Sequence, residues 1–400
     1  MTDLGPVFDR VLPGEPVVLT TASANSTSLR LAAKLGFTEV ERFHTWDAEQ
    51  WLTEYVVGRA PPLRPVAATL CYPRLMADDQ HVSQADADIR DHRLIYGCMG
   101  LGGGWDAEPY GAPEIAAAEA AVEAALEIGV TAFDHADIYR NGKSEAVFGE
   151  VLARAPELRR RVLIQTKCGI HLPGDDGPGR YDLRATHIER SVEQSLTRLR
   201  TDVIDVLLLH RPDPLADPDE VAGALTSLYR QGLVRQFGVS NMAAAQIAHL
   251  QASLDVPLVA NQLEISLARR DWVEAGVLVN TAESTGAGFP LGTLEHCRAH
   301  RIGLQAWGPL ARGRFTGAAR TEADRETAGR VAALADAKGT TPEAIVLWWI
   351  QRHPARVAPV IGTARPDRIR ACRDAARRDP ELTREEWYDL WVIARGAPLP

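Results

Sequence analysis

The sequence contains no apolar run of the roughly 18 residues that a helix needs to span a bilayer. Its N-terminal residues, MTDLGPVFDR, also lack the basic and then apolar pattern of a signal peptide. These two absences predict a protein without membrane segments, and we expect it to be cytoplasmic.

Cysteine is scarce as well, with 5 in 400 residues, and the cysteines are scattered along the chain. An odd number without regular spacing matches neither a disulfide framework nor a zinc-binding motif. We therefore expect free thiols and no metal site. The cysteines are Cys71, Cys98, Cys168, Cys297 and Cys372.

Positive charge is not in excess, because 44 Lys and Arg residues against 53 Asp and Glu residues give a net charge of −9. A net acidic chain disfavours nucleic acid as the main ligand, although a local basic pocket is compatible with it. The hydrophobic fraction of 46% and the charged fraction of 24% are typical of a folded globular protein. The length suits two to three average domains, or one large barrel with an appendage.

From residue 93 onward, short apolar runs alternate with amphipathic stretches, which is typical of repeated β/α units. The predicted strands are 94–99, 131–133, 162–165, 203–209, 234–239, 257–260, 303–306 and 357–361. The predicted helices are 115–128, 144–153, 186–199, 220–231, 243–252, 292–300, 341–352 and 366–376. Eight such units over about 300 residues predict an α/β fold, a (β/α)8 TIM barrel. A doubly wound sheet is disfavoured, because the glycines of 97–104 lack the spacing of a dinucleotide-binding turn.

Ionisable residues stand at the ends of three consecutive predicted strands: Asp134, Lys167 and His210. The carboxyl ends of the strands of a parallel barrel share one rim, so we expect these side chains to converge there. A buried charge is costly unless it is paired, and Asp134 with Lys167 is the evident pair.

Several motifs from about residue 93 to residue 396 together resemble the aldo-keto reductase family. The motifs are FDHADIY (133–139) with Ser144 and Glu145, TK (166–167), LH (209–210), GVSN (238–241), NQ (261–262), WGPL (307–310) and IGTARPDR (361–368). The resemblance implies reduction of a carbonyl group by NADPH without a metal.

The resemblance also implies roles for four catalytic residues. Tyr139 would be the general acid that gives its phenolic proton to the carbonyl oxygen. Lys167 would lower the pKa of that phenol, and Asp134 would hold the Lys167 ammonium in place. His210 would form a hydrogen bond to the substrate oxygen and orient it.

The implied cofactor is NADP, in its reduced form NADPH, bound along neighbouring strand ends. Ser240, Asn241 and Gln262 offer hydroxyl and amide groups suited to the nicotinamide carboxamide, and Trp307 would stack on the ring. A cation near the 2′-phosphate would favour NADPH over NADH. The remaining implied cofactor residues, which include a phosphate-binding turn, are Gly308, Pro309, Leu310, Gly362, Thr363, Arg365 and Arg368.

Two segments differ from the common family pattern. Ala371 and Cys372 stand where many members carry Glu and Asn against the adenine, so we expect altered adenine contacts here. Residues 267–290 resemble an inserted loop of a bacterial branch, which either covers the cofactor or substrate or is a surface excursion.

The N-terminal part of the chain resembles a portion of a GNAT-type acetyltransferase over about residues 14–60. Strand-like runs at 16–20 and 37–43 flank a helical pattern at 26–36, which predicts a small α+β appendage. The turn that binds the pyrophosphate of acetyl-CoA is missing, so we expect no acetyl transfer by this segment alone. The predicted domains are the GNAT-like segment (1–60), a linker (61–90) and the barrel (91–400).

We therefore expect an NADPH-dependent oxidoreductase that reduces an aldehyde, ketone or sugar-like carbonyl to an alcohol. Two alternatives are a nucleotide-binding regulatory barrel without significant turnover and, less favoured, an acetyltransferase. The expected partner is a small-molecule carbonyl substrate, with neither nucleic acid nor membrane, and the oligomeric state is left open.

Overall fold

The structure, a computed structural model, describes residues 18–22, 38–46, 52–59, 88–174, 177–286 and 288–399. The chain divides into two compact units, Met1–Asp79 and Gln80–Pro400. No helix among the described residues is long and apolar enough to cross a membrane.

The first unit contains a three-stranded antiparallel sheet of β1 (Val18–Ala22), β2 (Thr38–Trp46) and β3 (Leu52–Arg59) in the order β1-β3-β2. The strands predicted at 16–20 and 37–43 overlap β1 and β2, whereas β3 was not predicted. The helix predicted at 26–36 and most of the predicted linker lie outside the described residues. The resemblance to an acetyltransferase and the proposed domain limits therefore stay predictions.

The second unit is a closed barrel of eight parallel strands, which confirms the predicted fold. The barrel strands are β4 (Ile95–Gly97), β5 (Ala132–Asp134), β6 (Leu163–Cys168), β9 (Ile204–Leu209), β10 (Val234–Ser240), β11 (Leu258–Glu264), β12 (Gly303–Trp307) and β13 (Ala358–Ile361). Their order around the barrel is β10-β11-β12-β13-β4-β5-β6-β9. Each predicted strand overlaps one of them, because strands covered on both sides are near-continuous apolar runs.

Helices surround the barrel, and a short hairpin of β7 (Ile170–His171) and β8 (Arg180–Tyr181) follows β6. The helices are α1 (Ala112–Glu127), α2 (Lys143–Arg154), α3 (Ala185–Leu199), α4 (Pro218–Arg230), α5 (Ala244–Ser253), α6 (Asp271–Val277), α7 (Thr293–Ala299), α8 (Glu322–Lys338), α9 (Pro342–Gln351), α10 (Pro366–Arg370), α11 (Arg373–Arg377) and α12 (Arg384–Arg395). α8 and α12 were not predicted, although both begin at a threonine cap, Thr321 and Thr383.

Two predictions about local structure were wrong. The single helix predicted at 366–376 is two five-residue helices, α10 and α11. The irregular loop predicted at 267–290 contains α6 and a 3₁₀ turn, Ala282–Gly286, among its described residues. Trp272 explains the order in this segment, since it is buried and packs edge-on against Trp349 of α9, with ring centroids 5.8 Å apart.

The interior of the barrel has an apolar layer and a polar layer. Ile95, Ala132, Leu163, Val206 and Ala260 belong to an apolar cluster inside the strands. Two residues after Ala132, Leu163 and Ala260, on the same side of the pleat, stand the buried polar residues Asp134, Gln165 and Gln262. This polar layer, next to the carboxyl ends of the strands, contains Asp134, Gln165, Lys167, Gln262 and Gln305.

Candidate active site

The predicted catalytic residues lie at the carboxyl ends of adjacent barrel strands. Asp134 is the last residue of β5, Lys167 is near the end of β6, and His210 directly follows β9. Tyr139 lies in the loop after β5, where the Asp137 N–H donates a hydrogen bond to the Lys167 carbonyl at 3.0 Å. That bond directs the loop back over β6, so Tyr139 reaches the same rim.

Lys167 connects three of these groups through its ammonium. Its Nζ lies 2.7 Å from Asp134 Oδ2, 2.8 Å from the His135 carbonyl oxygen and 3.1 Å from the Tyr139 phenolic oxygen. His210 approaches from the next strand, with its ring edge-on to Tyr139 and the centroids 5.9 Å apart. The four predicted catalytic side chains therefore form one cluster.

Burial decides the protonation of this cluster. Burial raises the pKa of Tyr139 above its ordinary value, although the Lys167 ammonium acts to lower it. The expectation of a lowered phenol pKa was wrong, because it counted the ammonium without the loss of solvent. Burial also opposes the charge of Lys167, yet Asp134 and Tyr139 raise its pKa overall, so Lys167 stays charged.

His210 is neutral near pH 7. Burial, followed by the charges of Lys167 and Arg211, holds the pKa of His210 well below its ordinary value. Its Nδ1 atom is buried and has no hydrogen-bond partner among the described residues. A neutral imidazole can donate one hydrogen bond to a substrate oxygen without repelling the Lys167 cation.

A cavity of about 660 Å³ opens above this cluster. Asp134, Tyr139 and His210 line it, whereas Lys167 lies beneath with a side chain that is 0% exposed. The predicted cofactor residues that line the same cavity are Ser240, Asn241, Gln262, Trp307, Gly308, Pro309, Leu310, Gly362, Thr363 and Arg368. Arg365 is the predicted cofactor residue that the structure does not place there.

Hydrogen bonds connect four residues at one end of the cavity, which we call the amide end: Trp307, Asn241, Ser240 and Gln262. The Trp307 indole N–H donates to Asn241 Oδ1 at 3.1 Å, and Asn241 Nδ2 donates to Ser240 Oγ at 2.7 Å. Ser240 Oγ in turn donates to the Gln262 carbonyl oxygen at 2.9 Å. Asn241 has a φ of 58°, a left-handed conformation that asparagine tolerates better than most residues. These contacts hold the indole of Trp307 in place at the cavity wall.

Arginines supply positive charge in the same cavity. Arg312 and Arg368 line it, and neither guanidinium forms a hydrogen bond or ion pair with a described residue. Arg365 instead points to Asp367, with Nη2 and Oδ2 2.6 Å apart, and both side chains are exposed. Arg312 was not predicted as a site residue, although it lies two residues after the WGPL motif.

The donor set fits a dinucleotide phosphate. The amide and hydroxyl groups of Ser240, Asn241 and Gln262 suit a carboxamide. Arg312 and Arg368, which have no partner among the described residues, suit phosphate. The dipole of α10, which begins shortly after Gly362 and Thr363, contributes little to phosphate binding, because this helix has only five residues.

Two loops form the remaining wall of the cavity, with Met99 and Trp105 on one and Ile138 on the other. Trp105 and Trp307 line the same cavity, so two indoles face this space. Arg211 also lines the cavity, and its side chain has no hydrogen bond or ion pair with a described residue. Arg211 was not predicted as a site residue, although it directly follows His210.

Asp137 belongs to the FDHADIY motif and lies in the loop between Asp134 and Tyr139. Burial and the nearby Glu145 carboxylate raise the pKa of Asp137 to about 7. Its Oδ1 atom is buried without a hydrogen-bond partner among the described residues. Glu145 is itself buried and accepts hydrogen bonds from Thr166 Oγ1 at 2.6 Å and Arg198 Nε at 2.7 Å.

His171, Asp182 and His187 bring candidate metal-ligand atoms within 4.8 Å of one another beside the β7–β8 hairpin. Asp182 is already bound by Arg184, which donates to Oδ1 at 2.9 Å and to Oδ2 at 2.5 Å. The expectation that the protein needs no metal stays a prediction.

Comparisons of the sequence point to one family. The sequence model of the Aldo/keto reductase family matches residues 93–391. A 6-dehydroglucose reductase of Agrobacterium fabrum is 37% identical over 312 residues, which are 76% of this chain and 94% of that protein. The oxidoreductase YdhF of Escherichia coli is 38% identical over 281 residues, which are 70% of this chain and 88% of that protein.

Solved structures show the same fold. A glycerol dehydrogenase from Gluconobacter oxydans matches with a TM-score of 0.63 at 25% identity, over 77% of this chain and 93% of that chain. An aldo/keto reductase from Klebsiella pneumoniae in complex with NADP and acetate matches with a TM-score of 0.58 at 24% identity, over 77% and 92% of the two chains.

Proposed function

The chain belongs to the aldo/keto reductase family and is an NADP(H)-dependent oxidoreductase of carbonyl compounds, and we propose that Tyr139 is its general acid. The observation that carries this assignment is the 3.1 Å contact between Tyr139 Oη and Lys167 Nζ at the floor of the cavity. Tyr139 lines this cavity and lies beside the neutral imidazole of His210.

The raised pKa of Tyr139 suits an acid that must hold its proton until it is needed. The phenol remains protonated near pH 7 and can donate to a carbonyl oxygen placed above it. As the proton leaves, the phenolate that forms is stabilised by the Lys167 ammonium at 3.1 Å. Asp134, 2.7 Å from that ammonium, keeps Lys167 charged and in position.

His210 and Trp307 orient the reactants in this proposal. The neutral imidazole of His210 donates a hydrogen bond to the same carbonyl oxygen and fixes its position over Tyr139. Trp307, held by Asn241, presents an indole on which a nicotinamide ring can stack. When bound, the reduced nicotinamide supplies the hydride.

The proposed binding residues for the cofactor phosphates are Gly362, Thr363, Arg312 and Arg368. Two guanidinium groups without partners among the described residues provide charge that matches the additional phosphate of NADPH. NADPH is therefore the proposed form. Arg365 is assigned a smaller role, because its guanidinium is engaged by Asp367.

A sugar-like carbonyl is the proposed substrate class. Arg211 stands next to His210 with five N–H donors free of any partner among the described residues, which suits an oxygen-rich substrate. The name of the Agrobacterium relative, a 6-dehydroglucose reductase, points to the same class. A direct comparison is glyceraldehyde against propanal, two aldehydes of equal carbon number. Glyceraldehyde is expected to have the higher kcat/KM, and Arg211→Met is expected to lower only that value.

The Tyr139→Phe variant tests the assignment of the acid. General acid catalysis contributes roughly 10²- to 10⁴-fold, so kcat for reduction should fall by about that factor. Binding of NADPH, measured by fluorescence, should change by less than about 2-fold, because the substitution removes one hydroxyl. Tyr229→Phe, an exposed tyrosine on α4, is the matched control and should keep full activity. Turnover preserved in Tyr139→Phe would refute the role of this phenol.

The two alternative functions are less well supported. A regulatory barrel without turnover does not need Asp134, Tyr139, Lys167 and His210 in one cluster, and these residues are together here. The features that suggested an acetyltransferase lie largely outside the described residues. A cytoplasmic location stays a proposal, supported by four buried free thiols among the described residues.

A further inference from the structure

A chain of three buried glutamines crosses the interior of the barrel from the catalytic cluster to the amide end of the cavity. Gln165 of β6 is the backbone partner of Asp134 on β5, and Gln262 of β11 is the backbone partner of Gln305 on β12. β6 and β12 lie opposite each other in the ring of eight strands. The glutamine chain (Gln165, Gln305 and Gln262) therefore spans the full width of the barrel.

The hydrogen bonds of the glutamine chain are continuous. Gln165 Nε2 donates to Asp134 Oδ1 at 2.6 Å and to Gln305 Oε1 at 2.8 Å. Gln305 Nε2 donates back to Gln165 Oε1 at 2.9 Å. Gln262 Nε2 donates to Gln305 Oε1 at 2.9 Å. All four side chains belong to residues that are at most 2% exposed, so solvent does not compete for these bonds.

The Asp134 carboxylate sets the direction of every amide in the chain. A carboxylate only accepts hydrogen bonds, so Gln165 must turn its NH₂ group toward Asp134. The side-chain carbonyl of Gln165 then faces Gln305 and accepts a hydrogen bond from the Gln305 NH₂ group. The side-chain carbonyl of Gln305, in turn, accepts a hydrogen bond from the Gln262 NH₂ group. Each amide is thus oriented by its neighbour. The series begins at the Asp134 carboxylate, which can only accept hydrogen bonds and therefore fixes the orientation of the first amide.

The side-chain carbonyl oxygen of Gln262 is left without a hydrogen-bond partner among the described residues. Its NH₂ group is used by Gln305, and Oε1 has no hydrogen bond to a described residue, while the residue lines the cavity. A fixed acceptor at this point binds a ligand that carries an N–H donor and disfavours one that does not.

We infer that the Asp134 carboxylate, acting through Gln165 and Gln305, fixes Gln262 as a hydrogen-bond acceptor that selects a nicotinamide ring bearing a carboxamide N–H. The inference rests on the proposed function, because it takes the cavity to be the cofactor site. Gln165 and Gln305 are positioning residues in this scheme. They touch neither cofactor nor substrate and act through Gln262.

The test compares the binding of two oxidised cofactors, NADP⁺ and its 3-acetylpyridine analogue, by isothermal titration calorimetry. The analogue has a methyl ketone in place of the carboxamide and therefore lacks the N–H group. The wild-type protein should bind NADP⁺ more tightly by about 3- to 10-fold, the usual range for one hydrogen bond. Gln305→Met keeps the size of the side chain but removes the acceptor for Gln262, so the ratio should fall to about 1–2.

Gln165→Met is the second variant and should lower the ratio in the same way if Gln305→Met does not fold. Gln351→Met is the matched control, since Gln351 bonds the Arg93 and Ala375 carbonyls outside the cavity. The control tests general destabilisation, which changes the melting temperature but not a ratio of two affinities. Its ratio should equal that of the wild type.

A wild-type ratio near 1, or a wild-type ratio retained in both Gln305→Met and Gln165→Met, would overturn the inference. An enzyme that reduces carbonyls with NADPH yet shows such ratios would leave the proposed function standing. A protein that binds neither cofactor would contradict the proposed function and this inference together.

Discussion

The side chain of Asn141 donates a hydrogen bond to the main-chain carbonyl of Trp105, with Nδ2 and O 2.9 Å apart. Asn141 also donates to the Asp106 carbonyl at 3.2 Å, and its neighbour Arg140 donates to the Met99 carbonyl at 3.0 Å. These bonds join the loop after β4 to the loop after β5, and both loops line the cavity. The position of the Trp105 indole at the cavity therefore depends on a residue from the Tyr139 loop.

Replacing Asn141 should weaken substrate binding without affecting the cofactor. Asn141→Ala removes both hydrogen bonds, so KM for the carbonyl substrate should rise by about 3- to 10-fold, while the dissociation constant of NADPH is unchanged. Asn141 has a φ of 57°, where alanine costs about 1 kcal/mol more than glycine. Asn141→Gly is thus the matched variant, which should show the same rise in KM and be more stable than Asn141→Ala. An equal rise in the NADPH dissociation constant would contradict this division.

Arg368 and Arg365 should differ in their effect on NADPH. Arg368 lines the cavity without an ion-pair partner among the described residues, so Arg368→Gln should weaken NADPH by about 10- to 100-fold and NADH much less. Arg365 is exposed and engaged by Asp367, and such surface pairs are worth about 0–1 kcal/mol. Arg365→Gln should therefore weaken NADPH by less than about 5-fold. Equal losses of NADPH affinity in the two variants, measured by calorimetry, would support the phosphate-binding role that the sequence predicted for Arg365.

Lys167 and Asp134 should be coupled in stability as well as in catalysis. Lys167→Met leaves a buried carboxylate without its cation, which lowers the free energy of unfolding by about 3–5 kcal/mol. The double variant Lys167→Met with Asp134→Asn removes both charges and should recover most of that loss. Urea unfolding of the two variants and the wild type gives the comparison. A double variant no more stable than Lys167→Met would mean that the charge pair is not the cause.

Asp137 should make stability depend on pH between about 4 and 7. The pKa of Asp137 is raised to about 7 in the folded protein from its ordinary value of 3.8, so the folded state binds the proton more tightly. The stabilisation is complete below the unfolded pKa and is lost as pH rises through the folded pKa.

Asp137→Asn should therefore raise the free energy of unfolding at pH 8 by about 1–4 kcal/mol, since one pKa unit is worth about 1.4 kcal/mol. At pH 4 the difference should be small. Asp202→Asn, at an exposed aspartate, is the control for the removal of one carboxylate. A constant difference for Asp137→Asn from pH 4 to pH 8 would show that titration of this carboxyl does not affect stability.

Much of the barrel was predictable because its signal is local. Each strand is an apolar run covered on both sides, and each predicted strand overlaps an observed one. Short elements such as α10 and α11 were harder to predict. The amphipathic pattern continues through the two residues that separate these helices, so the sequence does not indicate the break. α8 was not predicted for a different reason. It is polar over much of its length, and its few buried positions give no clear helical periodicity in the sequence.

Asp134, Lys167 and His210 could be placed from the sequence because strand order and strand polarity put them at one rim. The protonation of Tyr139, the choice between Arg365 and Arg368, and the glutamine chain depended on the folded structure. Gln165 and Gln305 are separated by 140 positions in the sequence, and no periodicity connects them. Loss of solvent and contact across a barrel are properties of the assembled interior, so they are absent from the chain until it has folded.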